Sequence, residues 1–511
     1  MEEPGMPTIG GCVVQNARRV PDRDALIAGP LVWSWSELDR RCGQVAAALA
    51  AAGVSRGDRV ALLATNSPGY VVSALATLRL GAIVVPVNTR LAPPEVAYIL
   101  QDCEPTVLAF GSSSNDVVRA ACEEAGSTHN MRLFGLDDEG PHPNLLTAHC
   151  NRKPVTSDHA AEDDDAYIVY TSGTTGRPKG VLLDHHRAVW AAMAQIVSLG
   201  LRDGVRYLHL PPLYHSGGVV FLNAITLLGG TNVLIDKFEP GAVLQAIEQF
   251  RVTTLLGVPT MYGFLLRHDD VHRRDLSSWR TGIFGAAPMP AHTVESLLET
   301  FPDVEFFQQC GQTEAGPTGI YSTMAQVREE PYSSGHFAQP FVEARVVDRD
   351  GNHVAPGAIG ELLLAGEPVM KGYWHKPEET AEVLTSGWLH TGDLMEITPG
   401  GAMRLVDRAK DVIISGGRNV YSAEVEHALM SHPEVADCAV VGRPNPDWGE
   451  TVVAVVTPVS GAQPSLEDLR EHCSGLIADY KLPREVVIGD VPRNHAGKLQ
   501  KHSVRALFDA L

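Results

Sequence analysis

Short apolar strands alternate with helical segments along most of the chain before residue 340. The first clear unit has a predicted strand at 60–64, a helix at about 67–80 and a second strand at 82–87. Strands that alternate with helices of this length are typical of βαβ units, whose strands pair in parallel. We therefore expect an α/β fold with a large N-terminal domain of stacked parallel and mixed sheets. Further strands are predicted at 106–110, 231–235, 254–256 and 282–284.

The pattern changes twice in the last third of the chain. Between residues 340 and 406, short strands are separated by Gly, Pro and Asp, which is typical of a barrel-like subdomain. Beyond residue 408, a helix at 422–431 and strands at 438–441 and 451–456 predict a small α+β domain. We place the domain boundary between 1–407 and 408–511.

Composition excludes several classes of function. The 511 residues include 61 Asp and Glu against 41 Lys and Arg, a formal net charge of −20. So acidic a chain is a poor partner for nucleic acid or an anionic membrane surface. The eight cysteines form no C-x-x-C pair, which argues against a zinc site or disulfide framework and favours reducing cytosol. We expect a cytoplasmic protein without signal peptide or membrane span, since the N-terminus is acidic and no apolar run approaches about 20 residues.

One short loop concentrates groups that bind phosphate. Residues 170–180 read Tyr-Thr-Ser-Gly-Thr-Thr-Gly-Arg-Pro-Lys-Gly, between two strand-like segments. Glycines let backbone amides approach a ligand, and hydroxyls add further donors to the same concavity. The G-x-x-x-x-G-K-[ST] spacing of a P-loop is absent, because Gly176 is followed by Arg177. A Gly/Thr-rich surface turn is the alternative interpretation.

A carboxylate follows another predicted strand. Gly311-Gln312-Thr313-Glu314 comes after the apolar segment 304–307. A carboxylate beside phosphate-binding hydroxyls would repel the phosphate unless a cation bridges them, and Mg²⁺ prefers such hard oxygen ligands. Taken alone, the motif also fits a helix N-terminus capped by Thr313.

Three further positions stand out, each with an ordinary structural alternative. Asp393, in Trp-Leu-His-Thr-Gly-Asp, offers paired acceptor oxygens or simply closes a turn. Lys498 lies in a Gly-containing stretch near the end and is either a solvated lysine or a mobile point charge for a site. His215, between Tyr214 and Ser216, is either structural or part of a pocket.

Together these motifs resemble the adenylate-forming superfamily, which includes acyl-CoA synthetases, adenylation domains of peptide synthetases and luciferases. The resemblance covers the chain from Pro21 to Lys501. It implies that Thr313 contacts the α-phosphate, Glu314 binds Mg²⁺, Lys498 assists adenylation and His215 lines the acyl pocket. It implies a hinge at Lys410 between the N-terminal domain and a mobile C-terminal domain. The nucleotide and CoA sites implied by the resemblance comprise Thr171, Ser172, Gly173, Thr174, Thr175, Gly176, Lys179, Gly285, Ala286, Ala287, Pro288, Gln309, Cys310, Gly311, Gln312, Asp393, Arg408, Lys410, Gly416 and Gly417.

The chain departs from the family pattern at Cys310. The family usually has a tyrosine there, stacked on adenine, and such stacking is worth roughly 1–3 kcal/mol by analogy with aromatic–base contacts. Weaker ATP binding is one expectation. The stricter alternative is a half-enzyme that thioesterifies a preformed acyl-adenylate and adenylates poorly.

We interpret the chain as an acyl-CoA synthetase that uses ATP, Mg²⁺ and CoA, acting as a monomer or homodimer. Its small-molecule substrate is predicted to be a hydrophobic carboxylic acid, because many residues near the expected acyl pocket are small or apolar. Gly217, Gly218 and Gly311 are expected to leave room for a bulky acyl group. A stand-alone adenylation enzyme that loads a carrier protein is an alternative. Two further alternatives are a luciferase-like oxidase and a non-enzymatic nucleotide-binding protein.

Overall fold

The computed structural model describes residues 7–126, 131–137, 139–148, 153–171, 177–285, 289, 291–331, 333–493 and 499–509. Contacts within the chain define two compact units. Unit 1 comprises Met1–Ala344 and Leu364–Leu389, and unit 2 comprises Arg345–Leu363 and His390–Leu511. The division of the chain between residues 407 and 408 stays a prediction. So does a movement of the C-terminal domain about a hinge at Lys410.

Some helices begin at a residue whose side chain caps the first turn. The Ser34 hydroxyl accepts a hydrogen bond from the Glu37 amide, and Ser67 caps the helix that begins at Pro68. The helix predicted at about 67–80 is confirmed. Among the described residues the helices are α1 (Ile9–Arg19), α2 (Trp35–Ala51), α3 (Pro68–Arg79), α4 (Pro93–Cys103), α5 (Asn115–Ala125), α6 (His185–Ser198), α7 (Ser216–Leu228), α8 (Pro240–Phe250), α9 (Pro259–Leu266), α10 (Ala291–Thr300), α11 (Met324–Glu329), α12 (Pro377–Val383), α13 (Ser422–Met430), α14 (Leu466–Ser474) and α15 (Lys501–Asp509).

The strands are short, and most begin or end at turn residues. They are β1 (Asp24–Ala28), β2 (Leu31–Ser34), β3 (Arg59–Leu63), β4 (Ile83–Pro86), β5 (Val107–Phe110), β6 (Arg132–Gly135), β7 (Asp165–Thr171), β8 (Lys179–Asp184), β9 (Arg206–His209), β10 (Thr231–Leu234), β11 (Thr254–Gly257), β12 (Thr281–Gly285), β13 (Glu305–Gln312), β14 (Thr318–Ser322), β15 (Phe337–Ala338), β16 (Val342–Val347), β17 (Ile359–Gly366), β18 (Gly372–Tyr373), β19 (Leu384–Thr385), β20 (Trp388–Ile397), β21 (Met403–Arg408), β22 (Ile413–Ser415), β23 (Arg418–Val420), β24 (Val435–Asn445), β25 (Gly449–Pro458) and β26 (Glu485–Ile488).

Unit 1 contains a sheet of order β18-β8-β7-β4-β3-β5-β6. Strands β4, β3, β5 and β6 pair in parallel, as the alternation of strands and helices predicts. Apolar side chains of α4 and α5 pack with this sheet, including Val96, Leu100 and Val118. The antiparallel hairpin β7–β8 extends the sheet and carries the predicted phosphate loop.

A second sheet in unit 1 has the order β15-β14-β13-β12-β11-β9-β10-β1-β2. Side chains alternate between its faces, so neighbours such as Phe306 and Phe307 enter different cores. Phe306 packs in the core that includes residues of α8, α9 and α10, whereas Phe307 packs in the core that includes residues of α6 and α7. Burial of each such ring stabilises the fold by about 1.5–3 kcal/mol.

The strand-rich region between 340 and 406 forms a further sheet, of order β16-β17-β20-β19 with β21 beside β20. Unit 2 also contains a sheet of order β23-β22-β25-β24, with β26 beside β25. Val440 and Ala439 alternate along β24, so α13 and α14 pack on one face and α15 on the other. The predicted α/β fold with a strand-rich region and a small α+β C-terminal domain is confirmed. No helix in the described ranges is both long and apolar enough to cross a membrane.

Candidate adenylation site

The predicted phosphate loop connects the two strands of a hairpin. Thr171 pairs with Lys179 at the end of β7–β8 from which the connecting loop leaves. Lys179 is 8% exposed, and its ammonium lies 5.0 Å from the centre of the Tyr373 ring. A buried cation over a ring face is favourable, and it holds this lysine at the base of the loop. Outside the described residues lie the predicted loop members Ser172, Gly173, Thr174, Thr175 and Gly176.

Glu314 and Thr171 come together although 143 residues separate them. The Thr171 hydroxyl donates to Glu314 Oε1 over 3.4 Å, and the Tyr373 hydroxyl donates to the same oxygen over 3.1 Å. Burial and the nearby carboxylate raise the pKa of Tyr373, so it keeps its proton and remains a donor. Among the described residues, Glu314 Oε2 has no hydrogen-bond donor, which leaves one carboxylate oxygen for a ligand.

This arrangement fits a magnesium ion that arrives with a nucleotide. Mg²⁺ is usually held by one or two carboxylates together with substrate phosphates. Within the described ranges there is no group of three or more His, Cys, Asp or Glu residues that would cage a metal. The single carboxylate of Glu314 beside the phosphate loop therefore matches a Mg²⁺–nucleotide complex better than a resident metal centre.

The strand that leads to Glu314 is longer than the sequence suggests. We expected a strand at 304–307, but β13 continues to Gln312, and Thr313–Ala315 forms a short 3₁₀ turn. The Thr313 hydroxyl donates to the Ser216 hydroxyl over 3.0 Å, which links this turn to the start of α7. Thr313 is thus not the N-cap of a helix, and its side chain lies at the end of the sheet.

Two glutamines of β13, Gln309 and Gln312, differ in their hydrogen bonding, and Gln309 belongs to a partly buried amide network. Gln309 donates to Gln195 Oε1 over 2.7 Å, and Gln339 donates to the same oxygen over 3.2 Å. Gln312 Nε2 is buried and has no hydrogen-bond partner among the described residues. An orphan donor of this kind is costly unless a ligand or water accepts from it, which supports a binding role for Gln312.

The three glycines near the expected acyl pocket differ in how much space a side chain would have at each position. A Cβ on Gly218 would lie 2.4 Å from the Pro212 carbonyl oxygen, and one on Gly311 would lie 2.3 Å from the Thr318 carbonyl oxygen. These two glycines allow close backbone packing, so they do not create room for an acyl group. Gly217 alone of the three faces open space.

His215 is an uncharged member of the predicted acyl region. Burial and the positive charge of Arg90 lower the pKa of His215 to about 4. Its ring packs edge-on against Tyr214, with 4.8 Å between centroids. At neutral pH this imidazole is therefore neutral and adds no charge to the pocket that the sequence predicts.

Unit 2 brings together the predicted ribose-binding pair. Asp393 on β20 lies opposite Arg408 on β21, and Arg408 Nε lies 2.8 Å from Asp393 Oδ1. Glu361 accepts a hydrogen bond from the Gly392 amide and another from His390 Nδ1, each 3.0 Å long. Asp393 thus lies within a strand, not in a turn.

Other predicted residues lie at turns or outside the described ranges. Lys410 is exposed in the 3₁₀ turn Ala409–Asp411. Gly285 is the last residue of β12 and pairs with Gln309. Gly416 and Gly417 form the turn between β22 and β23, where the Gly416 amide donates to the Trp448 carbonyl. Ala286, Ala287, Pro288 and Lys498 lie outside the described residues, so their roles stay predictions.

Two supporting residues were missed because their motifs looked structural. Tyr373 belongs to Gly-Tyr-Trp at 372–374, and Glu361 belongs to Gly-Glu-Leu at 360–362. The structure shows that Tyr373 donates to Glu314 and that Glu361 fixes the residues before Asp393. In the sequence, the sign that these two motifs contribute to the site is a polar side chain among residues that otherwise pack in the core.

A tyrosine at position 310 should improve ATP binding. Cys310 is half-buried on β13, opposite Ile320. For Cys310→Tyr we expect the KM for ATP to fall about fivefold or more, because base stacking on a ring is worth roughly 1–3 kcal/mol. Cys310→Leu is the matched control, since it adds bulk without a ring. Equal KM values for the two variants would rule out a stacking effect.

Comparison with known proteins agrees with this geometry. Residues 13–374 match the AMP-binding enzyme family, and residues 424–498 match the AMP-binding enzyme C-terminal domain. The chain is 39% identical over 502 residues to a feruloyl-CoA synthase of an Amycolatopsis species, covering 98% of this chain and 99% of that protein. It is 36% identical over 497 residues to an indoleacetate–CoA ligase of Aromatoleum aromaticum, covering 96% and 95%.

Solved structures support the same assignment. ATP-bound MatB from Rhodopseudomonas palustris superposes with a TM-score of 0.88 at 31% identity, covering 98% of this chain and 99% of that chain. The match extends over both family segments and nearly the whole length. The chain therefore belongs to the AMP-binding enzyme family and is an AMP-forming acid–thiol ligase of the adenylate-forming superfamily.

Proposed function

We propose that this enzyme activates a hydrophobic, aromatic-type carboxylic acid through an acyl-adenylate and transfers the acyl group to CoA. The observation that carries the proposal is the cluster of Glu314, Thr171 and Tyr373 at the base of the phosphate loop. It combines a carboxylate that has one oxygen available with two hydroxyls that hold its other oxygen. This set suits a magnesium-bound nucleotide.

In the first half-reaction, the acid carboxylate attacks the α-phosphorus of ATP and pyrophosphate leaves with the bridging oxygen. Thr313 is proposed to donate to the α-phosphate, and Lys498 to neutralise charge between the carboxylate and that phosphate. Mg²⁺, held by Glu314, would supply positive charge to the phosphate oxygens. Fixed charges and donors of this kind lower the barrier without reorganisation.

Asp393 and Arg408 have a separate role in the proposal. The Asp393 carboxylate would accept hydrogen bonds from the two ribose hydroxyls, for which its paired oxygens are suited. Arg408 orients that carboxylate through the 2.8 Å ion pair. In the second half-reaction, residues 408–511 change orientation about Lys410, and the CoA thiol attacks the acyl carbon and releases AMP.

A basic aromatic patch in unit 2 supports CoA as the acceptor over a carrier protein. The Arg484 guanidinium lies 4.3 Å from the Trp448 ring centre, and that of Arg418 lies 4.8 Å from the Tyr480 ring centre. Lys481 also lies beside Tyr480, but its ammonium pairs with Glu424 at 2.6 Å, so the cations of this patch are Arg418 and Arg484. Aromatic rings can stack on the adenine of CoA, and cations can pair with its phosphates. Such a basic patch is a local exception in a strongly acidic chain.

For Trp448→Ala we expect the KM for CoA to rise about tenfold, because a ring stacked on a base contributes roughly 1–3 kcal/mol. The rate of acyl-adenylate formation without CoA should not change. Trp448→Phe retains a ring and should recover most of the lost affinity. An unchanged KM for CoA in Trp448→Ala would argue that the nucleotide binds elsewhere.

The acid is inferred from the pocket and from relatives. His215 is neutral, so among the predicted lining residues it favours an uncharged acyl group over an anionic one. Two relatives are named for acids with aromatic rings, feruloyl and indoleacetate. Carrier-protein loading and a half-enzyme limited by Cys310 are the alternatives. A cytoplasmic location and a monomeric or dimeric state remain predictions from sequence.

A panel of acids tests the proposal. Phenylpropenoic, indole-acetic, fatty and dicarboxylic acids are each supplied with ATP, Mg²⁺ and CoA, and AMP, acyl-adenylate and acyl-CoA are followed separately by mass spectrometry. We expect acyl-CoA from the aromatic monocarboxylic acids first. Product only from supplied acyl-adenylates would identify the half-enzyme, and turnover of dicarboxylic acids alone would contradict the hydrophobic acyl group.

A further inference from the structure

A histidine near the site bridges two carboxylates. His186, in the first turn of α6, has Nδ1 2.5 Å from Glu162 Oε1 and Nε2 2.6 Å from Glu367 Oε2. The His186 side chain is 28% exposed. Glu162 precedes β7 and Glu367 follows β17, so the imidazole joins segments that are far apart in sequence.

The protonation state of this bridge follows from its geometry. A neutral imidazole has one N–H, so it can donate to only one of two carboxylates, whereas an imidazolium donates to both. Burial opposes the charge, but hydrogen bonds to Glu162 and Glu367 outweigh it and raise the pKa of His186 above its ordinary value of 6.5. The bridge is therefore complete only when the ring is cationic.

Glu367 belongs to a short segment that supports Glu314. The Met370 amide donates to the Glu314 carbonyl over 2.9 Å. Gly316 lies against Pro368 so closely that a Cβ there would be 2.0 Å from the Pro368 carbonyl oxygen. The backbone at Glu314 thus rests on residues 366–371, which we term the support segment.

The Lys371 amide donates to the Leu182 carbonyl over 3.0 Å, and three contacts through charged side chains also hold the support segment in unit 1. Glu367 contacts His186, the Val369 carbonyl accepts from Arg187 Nε over 2.7 Å, and Lys371 Nζ lies 2.5 Å from Asp165 Oδ1. The other two contacts are made by the guanidinium of Arg187 and the ammonium of Lys371. The contact through His186 is the one of the three whose charge changes near neutrality.

We propose that His186 is a positioning residue whose cationic form holds the support segment and, through it, Glu314, so that adenylation is favoured while the ring is protonated. The proposal rests on the proposed function only for the role of Glu314. His186 touches none of the reacting groups, and it acts through Glu367 and the backbone of residues 368–370.

The other groups around His186 do not replace this contact. Asp184 accepts from the Arg187 amide and pairs with Arg187 Nη1 at 2.5 Å. Asp163 lines the same shallow cleft as Glu162. The Trp190 ring lies 6.0 Å from the imidazole and carries no charge. The acidic surroundings favour the imidazolium, and Arg187 opposes it.

A double-mutant cycle at two pH values tests the proposal, using His186→Gln, Glu367→Gln and the double variant. At about pH 6 each single variant should lower kcat/KM for ATP in ATP–pyrophosphate exchange about threefold to tenfold, because a partly exposed charge pair is a modest contribution. The double variant should be no worse than either single one. At about pH 9 all four proteins should converge.

A second readout does not depend on activity. Protection of the Met370 amide from hydrogen exchange, corrected for the intrinsic pH dependence, should be higher in wild type than in His186→Gln at about pH 6 and equal at about pH 9. His353→Gln is the matched control, because His353 is exposed in unit 2. It should leave both readouts unchanged.

Two results would overturn the proposal. One is a loss in His186→Gln that is the same at both pH values, and the other is a double variant whose loss is the sum of the single losses. If wild type formed no acyl-adenylate at any pH, the proposed function would fail, whereas Met370 protection would still decide whether cationic His186 holds the support segment.

Discussion

Glu314→Gln should lower the rate of acyl-adenylate formation about a hundred- to a thousandfold, which is typical when one electrostatic stabiliser is removed. Glutamine keeps the shape and can still accept from Thr171 and Tyr373, so the change removes charge and little else. Thioesterification of a supplied acyl-adenylate should fall far less, because no pyrophosphate leaves in that step. Both half-reactions are measured separately by mass spectrometry.

The control for this variant is Glu305→Gln, which makes the same chemical change at an exposed position of the same strand, β13. It should retain wild-type rates. If Glu314→Gln adenylated at the wild-type rate with the same dependence on Mg²⁺, Glu314 would not be the residue that holds the cation.

Lys498→Ala should abolish adenylation, with a loss of at least about a hundredfold, while leaving the reaction of supplied acyl-adenylate with CoA largely intact. A lysine is a compact point charge that can stabilise the carboxylate and α-phosphate as they approach. Once the acyl-adenylate has formed, the carboxylate and the α-phosphate are already joined, and the positive charge of Lys498 is no longer needed to bring them together. Formation of acyl-adenylate and of acyl-CoA is measured in single turnovers.

Lys153→Ala serves as the control, because it removes a lysine at an exposed position. It should leave both half-reactions unchanged. An equal loss of both half-reactions in Lys498→Ala would refute the assigned role and would point instead to a general effect on the C-terminal domain.

Local sequence pattern was sufficient for much of the fold. The helix that the sequence predicts at about 67–80 agrees with α3, and the loop at 170–180 lies between two strands, as the β7–β8 hairpin shows. Both depend on periodicity and turn residues within a few positions. The strand before Glu314 was predicted too short, because the polar Gln308 and Gln309 interrupt the apolar run although they lie in β13.

Contacts between distant residues could not be predicted in the same way. Gln195 meets Gln309 and Gln339, which are 114 and 144 residues away. Tyr373 reaches Glu314 across 59 residues. Periodicity identifies the face on which a side chain lies but not its partner on another element. The supporting residues of the site therefore became visible only in three dimensions.

The central claim is that this chain makes an acyl-CoA through an acyl-adenylate of its own, and isotope transfer tests it most directly. A preferred acid labelled with ¹⁸O in both carboxylate oxygens is supplied with ATP, Mg²⁺ and CoA, and the AMP is examined by mass spectrometry. Attack of the carboxylate on the α-phosphorus predicts AMP with one ¹⁸O. Unlabelled AMP, or ADP and labelled phosphate in its place, would contradict the account.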